Sequence, residues 1–76
     1  MQVKVKFFAS MRDSMGRADD KIELAAGATV ADVWGAVSKE PLPENTLIAV
    51  NMEYTSLQEA LKDGDEVAFF PPVTGG

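Results

Sequence analysis

Apolar and charged residues alternate at the start of the chain. Val3, Val5 and Phe7 fall on one side, and Lys4, Lys6 and Phe8 fall on the other. This period of two predicts a half-buried strand over residues 3–8. The pattern changes at Val30, Val33, Trp34 and Val37, whose i, i+3, i+4, i+7 spacing lines one face of a helix. Thr29 with Asp32 supplies an N-terminal cap for that helix. Gly35 weakens it slightly, and Pro41 forbids its continuation past about residue 39. Two further hydroxyl–acid pairs, Ser10 with Asp13 and Ser56 with Glu59, predict two short helices. Gly16 closes the first of these, and Asp63-Gly64 follows the second. Alternating and β-branched residues predict strands over 21–24, Leu47–Val50 and Glu66–Phe70, with a short extra strand near Tyr54.

One main helix and four to five short strands bury their apolar faces most simply as two layers, with the helix across one face of a mixed sheet. The expected class is therefore α+β. Strand parity sends Val67 and Phe69 to the core. It turns Ala68, Phe70, Phe8, Leu47 and Ala49 to the outer face, which should otherwise be polar. An aromatic patch there points to a protein interface.

Composition narrows the chemistry. Seventy-six residues make one small domain, and the 46% hydrophobic and 25% charged fractions are those of a folded, water-soluble chain. The formal charge of −5 argues against nucleic-acid binding. No apolar run resembles a signal peptide or a membrane span, which makes the cytoplasm the expected location. Having neither Cys nor His, the chain offers no thiol nucleophile, no imidazole base and no zinc-finger-type site. Asp63, Asp65 and Glu66 lack the spacing of a calcium loop and read as a solvated turn, as does Asp19-Asp20, so no metal site is expected. Trp34, Met11 and Met15 read as core residues. Arg12 either caps the first short helix or faces a partner.

The last residues carry the sharpest signal. The expected folded domain covers 1–70. Residues 71–76 form a tail, in which Pro71 and Pro72 stiffen the backbone and remove two amide donors. Val73 and Thr74 follow, and from Val67 to Thr74 no side chain ionises, so the tail enters an apolar channel without burying charge. Gly75 and Gly76 lack a Cβ and make the narrowest chain available, with the Gly76 carboxylate leading.

The closing run from Asp63 through Phe69-Phe70-Pro71-Pro72 to Gly75-Gly76 resembles the small subunits of molybdopterin synthase, a family of ubiquitin-like sulfur carriers. So do Val5-Lys6-Phe7-Phe8-Ala9 with Arg12 and the segment Ala49-Val50-Asn51; the region from Asp13 to Thr46 is less diagnostic. The resemblance implies a β-grasp fold with a flexible C-terminal tail. It implies a carrier that is not itself an enzyme and holds no cofactor stably. A ubiquitin-activating-type adenylyltransferase uses ATP to adenylate Gly76, and a sulfur donor protein then leaves a thiocarboxylate there. The tail (Pro71 to Gly75) inserts into the large subunit of a heterotetramer of two small and two large chains. The resemblance matches Tyr54 to a contact position and tips Arg12 toward the interface, beside Phe8 and Phe70. Alternatives are a carrier for thiazole or tRNA thiolation, a protein modifier that forms isopeptide bonds, and a plain binding module.

Overall fold

A computed structural model describes residues 1–71. The expectations placed on Pro72, Val73, Thr74, Gly75 and Gly76 lie outside the described residues. The chain runs β1 (Gln2–Phe7), α1 (Ser10–Met15), β2 (Asp19–Glu23), α2 (Val30–Val37), β3 (Leu47–Val50), β4 (Glu53–Thr55) and β5 (Glu66–Phe70). The strands form one sheet in the order β2-β1-β5-β3-β4. The central pair β1–β5 is parallel and its other pairs are antiparallel, so the sheet is mixed.

The alternation in β1 has its expected effect. Val3, Val5 and Phe7 are buried, while Gln2, Lys4 and Lys6 are exposed. With Ile48, Val67 and Phe69 they pack against Val30, Val33 and Trp34 of α2. Trp34 meets Phe69 edge-on at 5.2 Å and donates its Nε1–H to the Glu40 carbonyl at 2.7 Å, so its one polar group is satisfied at the core boundary. Asp32 caps α2 as expected, its carboxylate accepting the Thr29 N–H at 2.8 Å.

Two of the three capping expectations fail for identifiable reasons. At α1 the N-cap is Ala9, held at φ 52°, and Ser10 is already helical. The carbonyls of Phe8 and Ala9 accept the Met11 and Arg12 N–H groups, leaving the Ser10 hydroxyl no capping role. The helix expected after Ser56 is absent. The carbonyls of Leu57 and Glu59 accept the Ala31 and Val30 N–H groups, at 3.0 and 3.1 Å, and the Leu61 N–H reaches the Ala28 carbonyl at 2.9 Å. The first turn of α2 has unpaired amide donors. Supplying them limits the segment to one turn, closed by the Glu59 N–H on the Ser56 carbonyl at 3.2 Å, because the Leu57 and Glu59 carbonyls that would continue a helix are engaged by α2.

Candidate docking groove at the root of the C-terminal tail

The outer face of the sheet holds a groove of about 440 Å³ lined by Phe8, Ala49, Met52, Tyr54, Ala68 and Phe70, with Lys6 and Glu66 at its rim. Its depth follows from residue size. Ala49 and Ala68 are direct cross-strand partners, and as the smallest side chains there they make a floor between larger walls. Parity placed both on the outer face, yet each is less than a tenth exposed because the flanking rings cover it.

One wall is aromatic. Phe8 stacks on Phe70 with ring centroids 4.5 Å apart and planes 8° from parallel, and Tyr54 meets Phe70 edge-on at 6.4 Å. The parallel β1–β5 register, which pairs Phe7 with Phe69, sets this stack up. One residue further along, both chains point outward. Tyr54 lies opposite Ala49 on β4 and is 74% exposed. At the rim, the Lys6 Nζ lies 3.6 Å from a Glu66 carboxylate oxygen, which fixes the boundary between apolar floor and charged surround.

Met52 is the lining residue that parity arguments miss. It follows Asn51 in the two-residue connection from β3 to β4, and both residues have positive φ, 50° and 71°. Two positive φ values are the signature of the tight hairpin turn that favours Asn then Gly. A two-residue gap with Asn between alternating runs was the available sequence signal. Met52 is 91% exposed in a conformation that disfavours it.

The turn is anchored from behind. Asn51 donates its Nδ2–H to Asp65 at 2.9 Å and accepts the Glu66 N–H at 3.0 Å, and Asp65 also accepts the Lys62 N–H at 2.8 Å. The Asn51 amide, then the Lys62 N–H, hold the Asp65 carboxyl below its ordinary range. Asp63 accepts the Gln2 N–H at 2.7 Å. The acidic turn thus ties the entry of β5 to β1 and to the β3–β4 hairpin.

Of the four expected interface residues, Phe8, Tyr54 and Phe70 meet in the groove, while Arg12 stands exposed on α1 and does not line it. Pro71 follows Phe70 directly, so the last described residue adjoins the groove wall. A second cleft, over β1 and β2, is lined by Lys4, Lys6 and Lys21 against Asp19, Asp20 and Glu66, a balanced set of charges that reads as a solvated cross-strand ladder. Among the described residues no helix is long and apolar enough to cross a membrane.

Comparison with known proteins addresses the family and the fold. The chain is 40% identical to the molybdopterin synthase sulfur carrier subunit of Escherichia coli, over 97% of this chain and 99% of that one. It is 32% identical to small archaeal modifier protein 1 of Haloferax volcanii, over 93% and 97%. Among solved structures, a Pyrococcus furiosus protein assigned as molybdopterin converting factor subunit 1 superposes with a TM-score of 0.82 at 40% identity, over 96% of this chain and 99% of that one. A complex of subunits 1 and 2 of the molybdopterin-converting factor from Helicobacter pylori matches over the full length of both chains, with a TM-score of 0.68 at 28% identity. The fold is thus the ubiquitin-like β-grasp that the sequence resemblance implied. The ThiS family model matches residues 5–76, from the first strand to the final glycine, and the chain belongs to that family.

Proposed function

We propose that the chain is the sulfur carrier subunit of molybdopterin synthase. It docks its apolar groove on the large subunit and carries sulfur on Gly76. The observation that carries this reading is the continuity of groove and tail: Phe70 walls the groove, and the uncharged run that ends in Gly75-Gly76 starts at the next residue. A partner that covers the aromatic wall is thereby positioned to receive the tail. The relatives named for sulfur carriage and the Helicobacter pylori two-subunit complex support the same assignment.

The chemistry follows from the terminal carboxylate. A carboxylate is a poor electrophile, so an adenylyltransferase joins a Gly76 oxygen to the α-phosphorus of ATP and releases pyrophosphate. Sulfide supplied by the donor then attacks the acyl carbon, AMP leaves with the bonding electron pair, the S–H proton is lost to water, and a thiocarboxylate remains as the nucleophile delivered to a pterin precursor. This chain's own share is steric and electrostatic. Its glycines admit the tail to a narrow channel, its uncharged residues lower the desolvation cost, and its groove sets the orientation. In the proposed assembly two carriers flank two large subunits, and the catalytic side chains belong to the large ones.

Incubation with ATP, the adenylyltransferase and a sulfide source tests the reading. The expected result is a gain of about 16 Da on the peptide ending in Gly76, followed by molybdopterin formation when the large subunit and precursor are added. A thiolated chain that yields no molybdopterin overturns the assignment. The likeness to small archaeal modifier protein 1 favours a second reading, conjugation of Gly76 to lysines, which immunoblots for high-mass adducts distinguish.

A further inference from the structure

We propose that Met52 is an oxidation site that controls docking: a peroxide converts its thioether to the sulfoxide, and the oxidised groove loses its hold on the large subunit. The inference rests on the carrier reading for the identity of the partner and on the structure for the site.

The four methionines occupy unequal places. Met11 is 6% exposed within the core, and Met1 and Met15 are partly buried against it. Met52 is 91% exposed at the tip of the β3–β4 turn, and it lines the groove with Tyr54 and Phe70. Oxidation follows access, so a peroxide meets Met52 first. The sulfur lone pair attacks one peroxide oxygen, the O–O bond breaks, and water leaves. Sulfur is oxidised by two electrons and the peroxide is reduced by two.

The consequence differs between the free and docked states. In the free chain the sulfoxide points into water, so the fold is unaffected. On docking, the same S=O must leave water for an apolar contact, and a buried acceptor without a partner is penalised. A docked partner in turn shields the thioether, so oxidation selects undocked carriers. Methionine sulfoxide reductases restore the thioether with a thiol reductant, which makes the effect reversible.

The sequence makes the test clean. Cleavage after Lys and Arg puts the four methionines in four separate peptides (1–4, 7–12, 13–17 and 40–62), with Gly76 in a fifth, 63–76. This separation matters because thiolation of Gly76 and oxidation of one methionine each add about 16 Da. The experiment uses the full chain in its carboxylate form, treated with dilute hydrogen peroxide, mapped by peptide mass, and titrated calorimetrically against the large subunit of the same organism. The expected result is that peptide 40–62 gains oxygen before 7–12, and that affinity falls at least about fivefold, the loss anticipated for one unsatisfied buried acceptor. The melting temperature stays unchanged, and methionine sulfoxide reductase restores the affinity. In Met52→Leu, whatever its own affinity, mild peroxide is expected to leave that affinity unchanged. Equal oxidation of 40–62 and 7–12, or undiminished affinity of chain oxidised at Met52, overturns the proposal while leaving the carrier reading intact. Failure of the untreated chain to bind the large subunit overturns both.

Discussion

The side-chain amide of Asn51, in the β3–β4 turn, ties that turn to the entry of β5: its nitrogen donates to Asp65 at 2.9 Å and its oxygen accepts the Glu66 N–H at 3.0 Å. The Asn51 N–H also donates to the Glu66 carbonyl, at 2.8 Å. The hairpin carrying Met52 and Tyr54 is therefore fixed relative to the strand carrying Ala68 and Phe70. The shape of the groove depends on that fixation.

Asn51→Ala removes both side-chain hydrogen bonds and places Ala at a left-handed φ that Asn tolerates better, so a loss of about 2 kcal/mol is expected at neutral pH. The pH dependence has a definite sign. The folded pKa of Asp65 is depressed, so its contribution is complete above the ordinary carboxylate pKa of about 3.9 and disappears as pH falls through the lower folded value. Urea midpoints measured from pH 7 down into that acid range should fall less steeply in Asn51→Ala than in the parent. Parallel curves would mean that the amide does not hold the Asp65 charge.

At Met52 stability and docking pull in opposite directions. Its φ of 71° costs a side-chain-bearing residue about 1 kcal/mol, so Met52→Gly should raise stability by that order. The same change strips an apolar wall from the groove. A higher thermal midpoint combined with weaker binding to the large subunit is expected. A variant that gains stability without losing affinity would remove Met52 from the interface.

The first strand was legible because Val3, Val5 and Phe7 leave a period-two record, whereas β3 and β5 show as short apolar runs. The outward stack of Phe8 on Phe70 was legible from strand parity. The segment after Ser56 was not. Its capping pattern is a local signal, and the α2 amides that recruit Leu57 and Glu59 lie more than twenty residues earlier in the chain. Arg17 was overlooked for a similar reason. It contacts the Phe7 ring, the Asp20 carboxylate and the Val37 carbonyl, three partners on three different elements. The Asp20 pair is local, three residues on, but the Phe7 and Val37 contacts exist only after the chain has folded, and no spacing encodes them.

Removal of Gly76 should abolish adenylation while leaving the thermal midpoint unchanged, because among the described residues the core cluster already closes between the helices and the sheet. Gly75→Val should adenylate poorly and deliver sulfur slowly, since a β-branched side chain widens the thread that glycine keeps narrow. ATP–pyrophosphate exchange and product formation measure the two steps separately. Normal exchange by the deletion variant would show that the reacting carboxylate lies elsewhere.

Phe69 and Phe70 are neighbours in β5 with opposite duties. Phe69 is fully buried and touches Phe7 and Trp34, whereas Phe70 stacks on Phe8 at the groove wall. Truncating Phe69 leaves a cavity among rigid neighbours, and Phe69→Ala should cost about 3–5 kcal/mol of folding stability. Truncating Phe70 removes its stack on Phe8 and its edge contact with Tyr54, together worth about 1–2 kcal/mol to the free domain. In a docked state the same ring would be a buried aromatic anchor, and such residues concentrate interface energy. Phe70→Ala is therefore expected to weaken binding to the large subunit by at least ~2 kcal/mol, more than it lowers the stability of the free domain. Calorimetric titration of a variant shown by its melt to remain folded separates the two effects. Unchanged affinity would mean that the large subunit docks on some surface other than this groove.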